Sequence, residues 1–193
     1  MRDLCQHMMD LVENGVAAGA SAVSIALRED EAEDRLSVEV EDDGRGMEPE
    51  VVERTSDPFF TTRRSRRVGL GLSLLEAACQ RSAGTFTVHS SPGCGTRVEC
   101  SFRLSHIDTP PLGDVVSTLT VLIALHPEVR LRYEHRAGRR RFRLDTGELQ
   151  AALGDAVPLG EPAAVGGLKR RLLAEWESFR EGAAAPRRSR AGS

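Results

Sequence analysis

Leu4, Met8, Leu11 and Val12 recur at helical spacing within residues 2–18, and Gly19 closes the pattern. The segment predicts a helix with one buried face. Residues 22–28 (AVSIALR) and 36–42 (LSVEVED) alternate apolar and polar positions, the period of strands covered on one side, with the acidic run Glu29 to Asp34 between them. Asp43 to Gly46 reads as a glycine-punctuated turn, and a short helix follows from Pro49 to Glu53. Residues 54–69 keep no clean period and carry Arg54, Arg63, Arg64, Arg66 and Arg67, which predicts a mobile loop. Helical spacing returns over 70–82. Thr85 to Ser90 and Arg97 to Leu104 read as strands joined by the turn Pro92-Gly93-Cys94-Gly95.

The composition shifts at His106 to Pro111, and a second unit is expected beyond it. It reads as a helix over 112–126, a hairpin of Val129 to His135 and Arg140 to Leu144 around Ala137-Gly138, a short helix from Glu148 to Leu153 ended by Gly154, and a last helix over 165–181. Leu168, Leu172 and Trp176 share one face of that helix. The expected division is a first domain over 1–105, a small α+β unit over 106–181, and a basic, disordered tail over 182–193. No internal repeat is present.

Composition narrows the class. With 40% hydrophobic residues in 193, the chain can build a core, so disorder throughout is excluded. Basic and acidic residues number 26 and 29, a net charge of −3, far from the balance of a general nucleic-acid coat protein. Cys5, Cys79, Cys94 and Cys100 form no C-x-x-C pair and stand near no His at zinc-ligand spacing, so they read as reduced, mostly buried thiols. The most apolar stretch, Leu112 to Leu125, is broken by Gly113, Asp114, Ser117, Thr118 and Thr120 and is too short and too polar to span a bilayer. Met1-Arg2-Asp3 leads into an amphipathic stretch and not into a signal-peptide core. A cytoplasmic protein is expected, with no nucleic-acid and no membrane partner.

Four segments carry candidate chemistry, and each has a plainer reading. Asp10 and Asn14 stand one turn apart on one face of the first helix, where an amide oxygen and a carboxylate can hold Mg²⁺ and a water, or simply form a polar surface. Asp42-Asp43-Gly44-Arg45-Gly46-Met47 follows a strand. Its glycines let the backbone approach a flat ligand, and its carboxylate can accept from an exocyclic amine; it is equally a β-turn. Val68-Gly69-Leu70-Gly71-Leu72-Ser73 opens a helix and can present N–H groups to an anion, although no Gly-Lys-Ser/Thr follows. Gly93-Cys94-Gly95-Thr96 is a strand-connecting turn by itself.

In order, DLVENGVAAGA, DDGRGM, DPFFTTR, GLGLSLL and GCGTRVECSF resemble the N, G1, F, G2 and G3 boxes of the histidine-kinase-type ATPases, the family of gyrase B, MutL and sensor histidine kinases on the Bergerat fold. The resemblance covers residues 4 to about 104. It implies an α+β, two-layer sandwich with a mixed sheet, helices on one face, and ATP with Mg²⁺ as ligands. Asn14 then takes the Mg²⁺-binding position and Asp42 the one that reads the adenine amine. Gly44 and Gly46 admit the adenine, with Met47 in the same box. Gly69 and Gly71 are the lid glycines beside the phosphates, with Leu70 and Leu72 in the same run. Thr96 lies near the adenine-side water, and Phe59, Phe60, Thr61 and Thr62 form the front of the lid.

Asp10 departs from the pattern. MutL and gyrase B carry Glu four residues before the asparagine as general base, and Asp is about one methylene shorter. The resemblance thus implies slow turnover, phosphotransfer or a nucleotide-held switch. Only nine residues precede Asp10, so no dimerising hairpin with a phosphoacceptor histidine is expected before it, and His7 reads as a packed helix residue. The second half, residues 104–135 and 142–159, resembles small stand-alone bacterial ATP-binding proteins encoded near iron-only hydrogenase subunits. It implies a regulatory or accessory role in trans on a protein partner. Two other readings stay open: a non-catalytic binding switch of anti-sigma type, and a serine or histidine protein kinase.

Overall fold

A computed structural model describes residues 2–55, 70–154 and 159–181. Residues 56–69 of the loop expected over 54–69, with Thr61, Thr62 and Gly69, and the tail over 182–193 lie outside these residues. The elements run α1 (Leu4–Ala17), β1 (Ala22–Asp30), β2 (Arg35–Asp42), α2 (Pro49–Glu53), α3 (Leu70–Arg81), β3 (Phe86–Ser90), β4 (Thr96–Arg103), α4 (Val115–Leu125), β5 (Arg130–Ala137), β6 (Arg140–Asp145), α5 (Thr146–Leu153) and α6 (Pro162–Glu181). The two later helices begin earlier than their apolar spacing predicts. Asp145 caps α5 by accepting from the N–H groups of Gly147 and Glu148, and Pro162 opens α6 with the φ a first turn needs.

All six strands form one mixed sheet in the order β3-β4-β2-β1-β5-β6. The β1–β5 pairing is parallel and the other four are antiparallel. The alternation seen in the sequence sorts the two faces. Ile25 and Leu27 on β1 stand beside Val40 and Val38 on β2, Val23, Ile25 and Leu27 stand beside Leu131, Tyr133 and His135 on β5, and all are buried, as is Leu36 on the same face of β2. They join α1, α3, α4 and α6 in a single core. The opposite face carries Ser24, Arg28, Glu39, Glu41, Arg97, Arg132, Arg136, Arg141 and Arg143, none of them buried. A sheet covered on one side by helices and polar on the other is the two-layer α+β architecture expected.

Residues beyond 106 are not a separate layer. Their hairpin extends the sheet from the free edge of β1, and α4 packs between α1 and α6. The chain crossing from β4 also closes the start of α1: the N–H groups of Leu4 and Cys5 donate to the carbonyls of Pro111 and Leu112 at 2.9 and 3.0 Å. Those are donors that a helix leaves unpaired at its N-terminus. At the other end of α1, Glu13 meets His126 Nε2 at 2.7 Å. Both ends of the helix that bears Asp10 and Asn14 are therefore fixed by the second half of the chain.

The second half also holds an aromatic cluster. Tyr133, His135, Phe142, Trp176 and Phe179 pack with ring centroids 5.0–6.4 Å apart. His135 is fully buried there, and its Nε2 lies 2.8 Å from Glu29 Oε1. That hydrogen bond holds the Glu29 carboxyl below its usual range. It ties β1 to β5 where α6 covers them.

Candidate nucleotide site

The site is built where the C-terminal ends of α1 and β2 meet the two glycine turns. α1 begins at Asp3, whose carboxylate accepts from Gln6 N–H at 2.8 Å, and its buried stripe of Leu4, Met8, Leu11 and Val12 turns Asp10 and Asn14 toward the rim. Gly15 then lies hard against β2, since a Cβ there would stand 2.9 Å from Asp42 Cβ. Gly71, in the first turn of α3, sits over Asp10, where an added Cβ would lie 3.4 Å from Asp10 Cβ. Asp10, Asn14, Asp42 and Gly71, which come from three separated segments, are thus brought together.

Asp42 and Thr96 are direct cross-strand partners. The Asp42 carboxylate accepts the Gly44 N–H at 2.9 Å and the Thr96 N–H. Burial nonetheless raises its pKa, and the neighbouring Asp43 and Glu41 push the same way. Asp43 does a different job. It accepts from Ser21 N–H, Ser21 Oγ and Ala22 N–H at 2.7, 2.6 and 2.8 Å, which pins the loop to the start of β1 and lowers the pKa of Asp43.

The two glycine turns interlock. Gly46 has φ +69°, and a Cβ on it would fall 1.9 Å from the Ser91 carbonyl oxygen. Gly95 has φ +74°, and its Cβ would fall 1.9 Å from the Asp42 carbonyl oxygen. Gly93 N–H donates to Arg45 O at 2.8 Å across the same contact. Ser90 holds the centre: its Oγ accepts from Met47 N–H at 2.9 Å and lies 2.8 Å from Gly95 O and 3.0 Å from Thr96 Oγ1. The sequence does not single out Ser90 or Gly15, and it gives Asp43 no role apart from the Asp42 to Met47 segment. Nothing marks Ser90 or Gly15 in a strand or helix pattern, whereas the paired aspartates at 42 and 43 were a signal that one of them serves the fold.

Arg2 is the other residue not foreseen. Its guanidinium pairs with the Asp10 carboxylate, both side chains partly exposed. His7, on the buried side of the same helix, is 4% exposed, and burial lowers its pKa, so it is a neutral packed residue. Leu72 packs against the core, and Leu70 opens α3. A cleft of about 540 Å³ between α2 and the β3–β4 turn is lined by Ser90 and Thr96, with Asp10, Asn14 and Asp42 outside it. Among the described residues no cluster of three His, Cys, Asp or Glu could hold a metal alone.

Residues 1–106 match the family model "Histidine kinase-, DNA gyrase B-, and HSP90-like ATPase". The chain belongs to that family, and those residues are its histidine-kinase-like ATP-binding domain. It is similar to the sensor protein DegM of Bacillus sp. (strain B21-2), 30% identical over 99 residues, which cover 51% of this chain and 26% of that one. It is similar to sporulation kinase A of Bacillus subtilis (strain 168), 33% identical over 101 residues, 51% of this chain and 16% of that one. It therefore spans about a quarter or less of these relatives. In fold it resembles the N-terminal domain of a DNA repair protein, with a TM-score of 0.52 at 14% identity over 75% of this chain and 53% of that one. No helix among the described residues is long and apolar enough to cross a membrane.

The donor set fits the nucleotide that the family implies. A desolvated carboxylate, Asp42, is placed to accept from an amine. One amide and one carboxylate on α1 leave most of an octahedral magnesium shell to phosphate and water. A pH prediction follows from Asp42. Its raised pKa means the ionised form costs the empty protein stability above the ordinary carboxylate range of about 3.9. Asp42→Asn is expected to raise the melting temperature at pH 7 and to lose that advantage as pH falls. ATP affinity of the wild type is expected to drop, on acidification, before an ordinary carboxylate titrates. A melting temperature lower in Asp42→Asn than in wild type at pH 7 would contradict this.

Proposed function

We propose that this chain binds ATP with Mg²⁺ and acts in trans on a protein partner, as a regulatory or accessory factor. The observation that carries it is the convergence of Asp10, Asn14, Asp42 and Gly71 on one rim, with Thr96 bonded to Asp42. Asn14 would hold the Mg²⁺, which supplies charge neutralisation for the phosphates. Asp42 accepts from the adenine amine, and the Gly44 and Thr96 N–H groups keep its carboxylate aimed. Leu70, Gly71 and Leu72 open α3 beside the phosphates, with Met47 near the adenine; by resemblance Gly69, Thr61 and Thr62, outside the described residues, are assigned to the same nucleotide. Asp10 orients water and takes its proton in slow turnover.

The trans role is supported by His7. The histidine nearest these residues in sequence is buried and neutral, so α1 presents no phosphoacceptor of its own. The resemblance of the second half to proteins encoded near iron-only hydrogenase subunits makes a redox complex the partner to test first. One specific observation favours the rival switch reading: the Asp10 carboxylate is engaged by Arg2, which suits a protein that holds nucleotide more than it turns it over. The test is capture of partner proteins on this chain with ATP, with ADP and without nucleotide, beside a single-turnover assay. Capture that depends on ATP is expected. Capture indifferent to nucleotide would count against a regulatory factor worked by ATP.

A further inference from the structure

β6 is the last strand of the sheet, and among the described residues nothing pairs with its outer edge. An open edge is a row of unpaired N–H and C=O groups that invites another strand. Here it borders a groove of about 580 Å³ whose walls are β6 itself, Arg140 to Arg143, and the α6 residues Ala174, Glu175, Ser178 and Phe179. Phe142 and Phe179 are buried beneath it. Arg140 is spent on the fold, donating to Phe179 O at 2.7 Å with its guanidinium 5.1 Å from the Phe179 ring.

The open face beside this edge is rich in arginine. Arg132, Arg136, Arg141 and Arg143 project from neighbouring positions of β5 and β6, each about half exposed. Their acidic partners are too few. Arg136 and Arg141 share Glu134, Arg143 pairs with Glu148 at 2.5 Å, and Arg132 approaches Asp145, which Arg130 already holds at 2.9 and 3.0 Å, so five guanidinium groups meet three carboxylates. Guanidinium groups in excess of their carboxylates, two of the three carboxylates being shared, favour further bidentate carboxylates.

We propose that the β6 edge docks an extended acidic segment of a partner protein, added as a further strand whose carboxylates meet Arg141, Arg143 and their neighbours. Backbone pairing would give the affinity and the arginine rows the selectivity. The six residues of β6 suit a segment of about six residues, ~20 Å long. Charge excludes the other occupants. A second copy pairing β6 with β6 would set arginines against arginines, which is unfavourable across a ladder. The basic tail, with Arg187, Arg188 and Arg190, meets the same repulsion. The inference rests on the trans reading for its partner but not on the nucleotide.

The probe is a fluorescent peptide of alternating Glu and Val, titrated by anisotropy into the full chain without nucleotide, with ATP affinity measured in parallel. Saturable binding is expected, weakening as salt rises. Methylating alternate backbone nitrogens of the peptide should weaken it at least tenfold on the unaltered protein, and an alternating Lys-Val peptide should not bind. Arg141→Gln with Arg143→Gln should also lose about tenfold while ATP affinity stays unchanged. Equal binding of the methylated or the basic peptide would overturn the proposal. So would a single-stranded oligonucleotide that displaces the acidic peptide at lower concentration, which would make the face a nucleic-acid surface. ATP binding without peptide binding would reject this inference alone, and the converse would reject the nucleotide reading alone.

Discussion

Asp10→Asn is expected to lower ATP turnover by about 10²–10⁴, the usual loss on removing a general base, with ATP affinity held within a few-fold. The substitution keeps the shape of the side chain and removes the charge that takes the proton. Asp10 stands under Gly71 and one helical turn before Asn14, so in the proposed reading it faces the phosphates. Wild-type turnover should itself be slow, because the arm is short and Arg2 engages the carboxylate. Asp10→Glu restores the longer arm and Arg2→Ala frees the carboxylate, and each should raise the rate. If Asp10 serves only to hold α1's surface, Asp10→Asn will weaken Mg²⁺-ATP binding and leave any turnover as it was. Affinity and single-turnover rate measured on the same four proteins separate the two.

The second large effect belongs to the interlocked turns. Gly46→Ala and Gly95→Ala each place a methyl group 1.9 Å from a carbonyl oxygen, which no rotation relieves. Each also asks an L-residue to keep a left-handed backbone, costing about 1–2 kcal/mol before the clash is counted. The turns must part, and Ser90 then loses Met47 or Thr96. Both variants are expected to melt at least ~4 °C lower, at about 2–4 °C per kcal/mol for a chain of this size, and to lose ATP binding by more than tenfold. Gly93→Ala is the control: its φ is +78°, but a Cβ there meets nothing within 4 Å. It should pay the backbone cost and keep the nucleotide. Unchanged binding in Gly46→Ala or Gly95→Ala would show that the contact between the turns does not shape the site.

The elements were legible wherever local signals agreed. The stripe of α1, the alternation of β1, β2 and β4, and the glycine turns between strands all appear within a few residues of one another in the sequence. The joining of β5 to β1 was not legible. That parallel pair links Ala22 to Arg130, and no local pattern says which of two open strands a distant hairpin will extend. The hairpin of the 106–181 segment therefore continues the sheet begun by β1 to β4. In the site, residues proposed for a chemical task stand out in the sequence, while those with a geometric task do not. Asp10, Asn14 and Asp42 could be named from their spacing and resemblance. Gly15, Ser90 and Arg2 act through what they touch, and those contacts exist only once α1, β2 and the β3–β4 turn are assembled.

Calorimetric titration of Mg²⁺-ATP into the wild type and Asp42→Ala tests most directly whether this rim is a nucleotide site read through Asp42. Removing the carboxylate forfeits a hydrogen bond worth roughly 1–3 kcal/mol, so the variant should bind about tenfold or more weakly, with GTP a poor ligand for the wild type. Equal ATP affinity in the two proteins, or no binding by the wild type, would contradict it.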